Sequence, residues 1–172
     1  MRASKRARWS VLSGAAALAF SVLTVSPAVA DEAPPGMVEV TLPADIEMVE
    51  GTPVAPGEEP STGLSKAAAV DRVCLGLTVT IGSQGCFQPY GDVVFSGDTQ
   101  ADGRSSVTIV YTDYGREPFG CYNSTGANTW VKCNKNYRED GNVYLKVLRY
   151  DKPTGKYYQP EAKSSWIPVD GQ

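Results

Sequence analysis

The chain has 172 residues, with 16 basic and 19 acidic side chains, no histidine and a formal net charge of −3. Without histidine there is no Ser-His-Asp or Cys-His triad, and both the commonest general base and the commonest zinc ligand are missing. The acidic balance argues against nucleic acid as a partner, because nucleic acid selects a basic stripe.

Residues 1–30 read as a signal peptide. Arg2, Lys5, Arg6 and Arg8 precede the apolar run VLSGAAALAFSVLTV, and the segment closes on SPAVA with small residues at Ala28 and Ala30. An apolar run of about fifteen residues suits a signal core and is too short to span a bilayer. Cleavage after Ala30 leaves twelve bases against nineteen acids, a net −7. No cysteine lies near the cut to carry a lipid, and no second long apolar stretch follows. The expected product is secreted into the extracellular space, with no membrane attachment.

Residues 31–66 form a separate compositional block. They hold six prolines, eight acids and one base, so the whole mature charge sits here, while the remainder carries eleven acids and eleven bases. High charge with proline and few aromatics buries too little apolar area to offset ordering entropy. The expectation is an acidic, proline-rich, flexible arm. The piece MVEVTLPADIEMV (37–49) is more apolar than a linker and offers an alternative, an edge strand interrupted at Pro43.

Residues 67–172 read as one all-β domain. RVCLGLTVTIG alternates, with Val73, Leu75, Leu77, Val79 and Ile81 on one face. GDVVFSG is a short strand. SSVTIVYTD separates Val107, Ile109 and Tyr111 from Thr108, Val110 and Thr112. NVYLKVLRYD directs Val143, Leu145 and Val147 inward and leaves Tyr144, Lys146, Leu148 and Tyr150 on the other face. SSWIPV is a last strand, placed at an edge because Pro168 cannot donate to a ladder. Turn signals such as Ala101-Asp102-Gly103 and Asp113-Tyr114-Gly115 separate the segments. No segment has a capped helical period. About seven short strands at this spacing predict an antiparallel β-sandwich of immunoglobulin-like size, or a small barrel.

The four cysteines in an exported chain are expected to form two disulfides. Of the three connectivities, Cys74–Cys86 and Cys121–Cys133 are favoured, because each joins neighbouring strands through a short return. CYNSTGANTWVKC (121–133) then reads as a stapled hairpin turning at Asn123-Ser124-Thr125-Gly126. If Val131 and Cys133 face inward, parity turns Trp130 and Lys132 outward, and Tyr122 likewise. Tyr122, Trp130 and Lys132, with Tyr144, are the candidate ligand-binding residues, as a stacking surface for a glycan or an anchor for an extracellular protein. The favoured reading of Trp130 is nonetheless a core residue against a disulfide. Asn123-Ser124-Thr125 matches a glycosylation acceptor, weakly, since the arginine- and alanine-rich leader looks bacterial.

Other chemistry is thin. Zinc would need closer cysteine clips than a spacing of twelve. GDTQADG sets Asp98 and Asp102 at the start of a calcium-like loop, but the twelfth position, which needs a bidentate Glu, is Ile109. Neither metal nor cofactor is expected, and no residue is assigned a catalytic role. Tyr144, Tyr150, Tyr157 and Tyr158, with Lys146, Arg149, Lys152 and Lys156, make a basic aromatic cluster late in the chain that strand propensity alone explains. GREPFG (115–120) could present Arg116 to a protease.

The stretches YGDVVFSGDTQADGRSS, YGREPFGCYNSTGANTWVKCN and SSWIPV together resemble a group of small secreted actinobacterial, Streptomyces-like proteins that share a GD-x-V…DT-x-ADG…G-x-C-x-N…W-x-x-C pattern. The resemblance covers roughly Cys86 to Val169. It implies secretion and the Cys121–Cys133 pairing, and it implies no activity. The functional expectation is a secreted, monomeric, non-catalytic binding module for an extracellular protein. The alternatives are a carbohydrate-binding domain and an inhibitor of a secreted hydrolase.

Overall fold

The computed structural model describes residues 37–61 and 73–172. The segment read as a signal peptide lies outside the described residues, as do 31–36 and 62–72. The described residues form twelve strands: β1 (Glu39–Val40), β2 (Glu47–Glu50), β3 (Thr52–Pro53), β4 (Leu75–Thr80), β5 (Ser83–Gln88), β6 (Val93–Asp98), β7 (Ser105–Thr112), β8 (Phe119–Asn123), β9 (Thr129–Asn134), β10 (Asn142–Asp151), β11 (Lys156–Lys163) and β12 (Ile167–Pro168). Among the described residues there is no helix. The first sheet runs β1-β11-β10-β7-β8-β2, with β12 also paired to β10; the second runs β3-β9-β6-β5-β4. Neither closes into a barrel, and the fold is a β-sandwich. Strand pairing is antiparallel except between β2 and β8, which run parallel.

The central core lies between the sheets. Val110, Phe119, Cys121, Val143 and Leu145 of the first sheet meet Phe87, Val94, Val131 and Cys133 of the second. The inward assignment of Val143, Leu145 and Val147 holds, since all three are fully buried. At one end the filling is small and polar. Ser96 and Ser106 share a 3.0 Å hydrogen bond, and Thr108 Oγ1 donates to the Phe95 carbonyl. A Cβ at Gly85 would sit 2.0 Å from Thr108 Oγ1, so glycine there lets the two sheets approach.

β4 is a strand, as its alternation predicts, but its apolar face is not where the pattern puts it. Leu75 pairs with Phe87 and faces the core; Thr78 pairs with Gly85, so one extra residue is inserted between them. This bulge falls at Gly76, whose φ is +62°. An inserted residue reverses the facing of everything beyond it. Thr78 is therefore buried, while Leu77, Val79 and Ile81 are 44%, 57% and 60% exposed.

The expected flexible arm is corrected over residues 37–61. β1 pairs with β11, β2 with β8 and β3 with β9, so the folded unit begins well before residue 67. Its charge is matched by the body: Glu39 pairs with Lys156, Glu47 with Lys135 and Glu50 with Lys152, at 3.0, 2.6 and 2.9 Å. The edge-strand alternative is the one realised, with Pro43 between β1 and β2. β11 is an unanticipated strand, because Pro160 within it reads as a strand breaker; it lies between β10 and the two-residue β1.

Both expected disulfides form, with Cα separations of 5.6 Å for Cys74–Cys86 and 5.9 Å for Cys121–Cys133. The second does not staple a hairpin. β8 belongs to the first sheet and β9 to the second, so the chain from 121 to 133 crosses the sandwich and the bond ties one sheet to the other.

Candidate functional site

The four candidate binding residues do not converge. Tyr122 is on the outer face of the first sheet and Trp130 on that of the second, as their strand assignments and parity require. Tyr122 is buried, and its hydroxyl donates to Glu50 Oε2 at 3.0 Å. Trp130 is half-buried, edge-on to Phe95 at 6.5 Å, in a cluster with the Cys74–Cys86 disulfide. A Cβ at Gly97 would meet its ring at 2.9 Å. So Trp130 packs against a disulfide, though not the one beside it in sequence. Lys132 is exposed in register with Thr52. A shared surface of Tyr122 and Trp130 is thereby excluded.

Tyr144 is different. It is half-buried, stacked on Tyr111 at 4.8 Å with 6° between the rings, and Trp166 meets it edge-on at 4.8 Å. Lys163 Nζ stands 3.9 Å from its ring centroid, within cation–π range. Burial, with Tyr144 alongside, pushes the Tyr111 hydroxyl up to about 12, so it stays protonated at any physiological pH. Trp166 is 51% exposed. The sequence pattern places it in the last strand with no role; a tryptophan beside serines in an edge segment is the one signal it carries.

Trp166 also lines a groove of about 560 Å3 between β4 and residues 162–168, with Leu77, Val79 and Lys163. β4 ends its sheet. Thr80 and Ser83 flank the two-residue turn Ile81-Gly82 and form its hydrogen-bonded pair, so the backbone groups of Thr78 and Thr80 face β5. Those of Leu77 and Val79 then point away from the sheet, and among the described residues no backbone hydrogen bond reaches them. Natural edges are usually guarded by charge, proline or a cover. Residues 73–81 carry no charge and no proline.

The remaining sequence candidates are occupied structurally. Asp98 Oδ1 accepts from the Gln100 amide, and burial pushes its carboxyl up. Asp102 accepts from the Arg104 amide and faces Arg149 at 3.3 Å. Asn123 is fully buried, with its side-chain amide donating to the Ser96 and Thr129 carbonyls, so it cannot accept a glycan in the folded state. Arg116 lies over the Tyr137 ring and donates to the Asn136 carbonyl, so it is laid back on the domain rather than held out by its loop. Among the described residues no cluster of three or more potential metal-ligating side chains is found, and no helix is long and apolar enough to cross a membrane.

The fold and this surface define a disulfide-tied β-sandwich with an open, apolar edge strand beside an exposed tryptophan. Comparison with protein-family models, curated proteins and solved structures gives no match.

Proposed function

We propose that this chain is a secreted, non-catalytic binding module that captures an extended polypeptide segment by strand addition to β4. Secretion is supported by the leader-like residues 1–30, by two disulfides that suit an oxidising compartment, and by the resemblance to small secreted actinobacterial proteins. The observation that carries the reading is the edge itself: among the described residues the outward backbone groups of Leu77 and Val79 have no partner, Leu77, Val79 and Ile81 are exposed on one face, and Trp166 lies alongside. Strand addition uses main-chain hydrogen bonds for affinity and alternate side chains for specificity. The groove supplies both, and Lys163 adds a cation that favours a carboxylate on the incoming segment.

Extended peptides selected from a displayed library on the folded chain test this. Val79→Pro removes the outward amide, and Trp166→Ala removes the ring; each is expected to weaken selected peptides at least tenfold. Peptides that survive both changes eliminate the β4 edge as the site.

A glycan reading rests on one separate observation, the exposed Trp166 ring braced by Tyr144 and Tyr111. Aliphatic neighbours at Leu77 and Val79 favour polypeptide over sugar, which needs hydrogen-bonding groups around the ring. Retention on insoluble polysaccharide that Trp166→Ala abolishes would reverse that preference.

A further inference from the structure

The N-terminal segment covers more than an edge. β1 is at one end of the first sheet and β2 at the other, so residues 41–46 must cross β11, β10, β7 and β8. They pass over that sheet's outer face. Val40, Leu42, Ile46 and Met48 pack there on Val107, Ile109, Leu148 and the rings of Tyr111, Tyr122, Tyr150 and Tyr157. The segment is a strap drawn over an apolar, tyrosine-rich groove. Its attachments are short. β1 has two residues and β2 four. The packed strap side chains are only half-buried, whereas Val107, Ile109 and Leu148 beneath are fully buried.

Charge gives the strap its register. Glu39, Glu47 and Glu50 meet Lys156, Lys135 and Lys152, one lysine each from β11, from the residue after β9 and from the β10–β11 turn. The Glu39–Lys156 and Glu50–Lys152 pairs are exposed, and in the third Glu47 is exposed while Lys135 is half-buried. Such pairs guide docking and are screened by salt; each alone contributes little, and the three together add a salt-sensitive part to the strap's attachment. Gly120 allows the contact from below: a Cβ there would come within 2.4 Å of Met48 Sδ. At the far end Gly51 is buried against Val131 and Cys121, so the strap hinges from a fixed point.

We propose that the outer face of the first sheet is a strand-acceptor groove, occupied at rest by residues 37–50 in cis, and open in exchange to an extended segment of a partner protein with the same chemistry. That chemistry is an aliphatic residue at alternate positions and carboxylates placed to meet Lys135, Lys152 and Lys156. The chain's own segment is the evidence that such a strand fits. Displacement by a partner would uncover the free edges of β8 and β11 at the same time, which gives the incoming strand backbone groups to pair with. This surface is on the opposite sheet from β4, and it stands or falls independently of the β4 reading.

The probe is a fluorescein-labelled peptide of residues 37–50, MVEVTLPADIEMVE. The folded chain carrying Glu39→Lys, Glu47→Lys and Glu50→Lys repels its own strap from the three lysines and leaves the groove intact. The peptide is expected to bind this variant at least tenfold more tightly than the unsubstituted chain in 50 mM salt, and to lose at least tenfold of that affinity in 500 mM salt. A sequence-scrambled peptide should not bind. Equal, weak binding to both proteins would overturn the proposal. Should the variant fail to fold, amide exchange on the unsubstituted chain decides instead. Amides of β1 and β2 are expected to exchange at least a hundredfold faster than those of β7 and β10, and faster still in high salt. Equal protection in all four strands means the strap opens only with global unfolding, and the groove then never becomes available.

Discussion

Gly76→Ala tests the feature that most alters the sequence pattern, the bulge that turns Leu77, Val79 and Ile81 outward. Two costs are separable. Gly76 has a φ of +62°, where an alanine Cβ costs about 1–2 kcal/mol. The new Cβ would also lie 2.2 Å from Ile167 Cδ1 and 3.0 Å from its Cγ1. Ile167 is buried in the central core and cannot swing into solvent, so relief requires repacking at about 1–3 kcal/mol. The expected total is about 2–5 kcal/mol, a large share of the roughly 5–15 kcal/mol that holds a domain together. Gly103→Ala isolates the first cost, because Gly103 has a φ of +76° and nothing within 4 Å of the added carbon. Ile167→Val isolates the second. By itself it should cost about 0.5–1.5 kcal/mol, but combined with Gly76→Ala it removes the clashing methyl and should recover at least about 1 kcal/mol relative to additivity. The measurement is equilibrium denaturation with the disulfides intact, read by tryptophan fluorescence. If Gly76→Ala costs no more than Gly103→Ala, or the double variant is simply additive, the close approach of β4 to Ile167 is not what the bulge is for.

Replacing both cysteines of either bridge by alanine should cost about 3 kcal/mol from loop entropy, since both loops close over twelve residues. Cys121–Cys133 should cost more than Cys74–Cys86, because its loss also loosens one sheet from the other; equal midpoints would deny the cross-sheet role. Glu50 carries a pH signature. The Ser124 hydroxyl first, then Lys152 and Tyr122, hold its carboxyl down at about 2 from an ordinary 4.5. Its attachments therefore stabilise the strap above pH 4.5 and are lost as pH falls toward 2. A carboxyl titration by NMR should find that low midpoint, and Glu50→Gln should abolish acid-induced loss of β2 amide protection over the same window; a midpoint near 4.5 contradicts the Ser124–Glu50–Lys152 arrangement. Asn123 should remain unglycosylated when the chain is passed through a eukaryotic secretory pathway and folds before modification, as intact mass would show. Asn123→Ala should destabilise by about 1–3 kcal/mol by leaving the Ser96 and Thr129 carbonyls without their buried donor.

Much of the fold is legible because it depends on period. β10 alternates cleanly, and its inward residues Val143, Leu145 and Val147 are the ones alternation selects; β7 alternates too, but its face of Val107, Ile109 and Tyr111 turns to the outer side of the sheet while Val110 meets the core. The cysteine pairing is legible because equal short spacings permit it without moving strands. The candidate site was not. Parity turned Tyr122 and Trp130 outward, yet it does not say that consecutive strands belong to different sheets or that other segments lie over them. The acidic prolines of the arm suggested a chain unable to bury apolar area by itself. That inference is physically sound for an isolated segment and fails here, because the acceptor face and its three lysines come from residues about 60 to 120 positions away.

By itself the sequence determined the all-β character, the two bridges, the inward face of β10 and the segregation of negative charge at the N-terminal side. These follow from local repeat, spacing and composition. Only the tertiary structure decided which face of β4 meets solvent, that the 121–133 connection crosses between sheets, that Trp166 rather than Trp130 stands exposed beside an open edge, and that the acidic segment is a strap. Each of these turns on a single inserted residue or on a partner distant in the chain, and neither leaves a periodic signal to read.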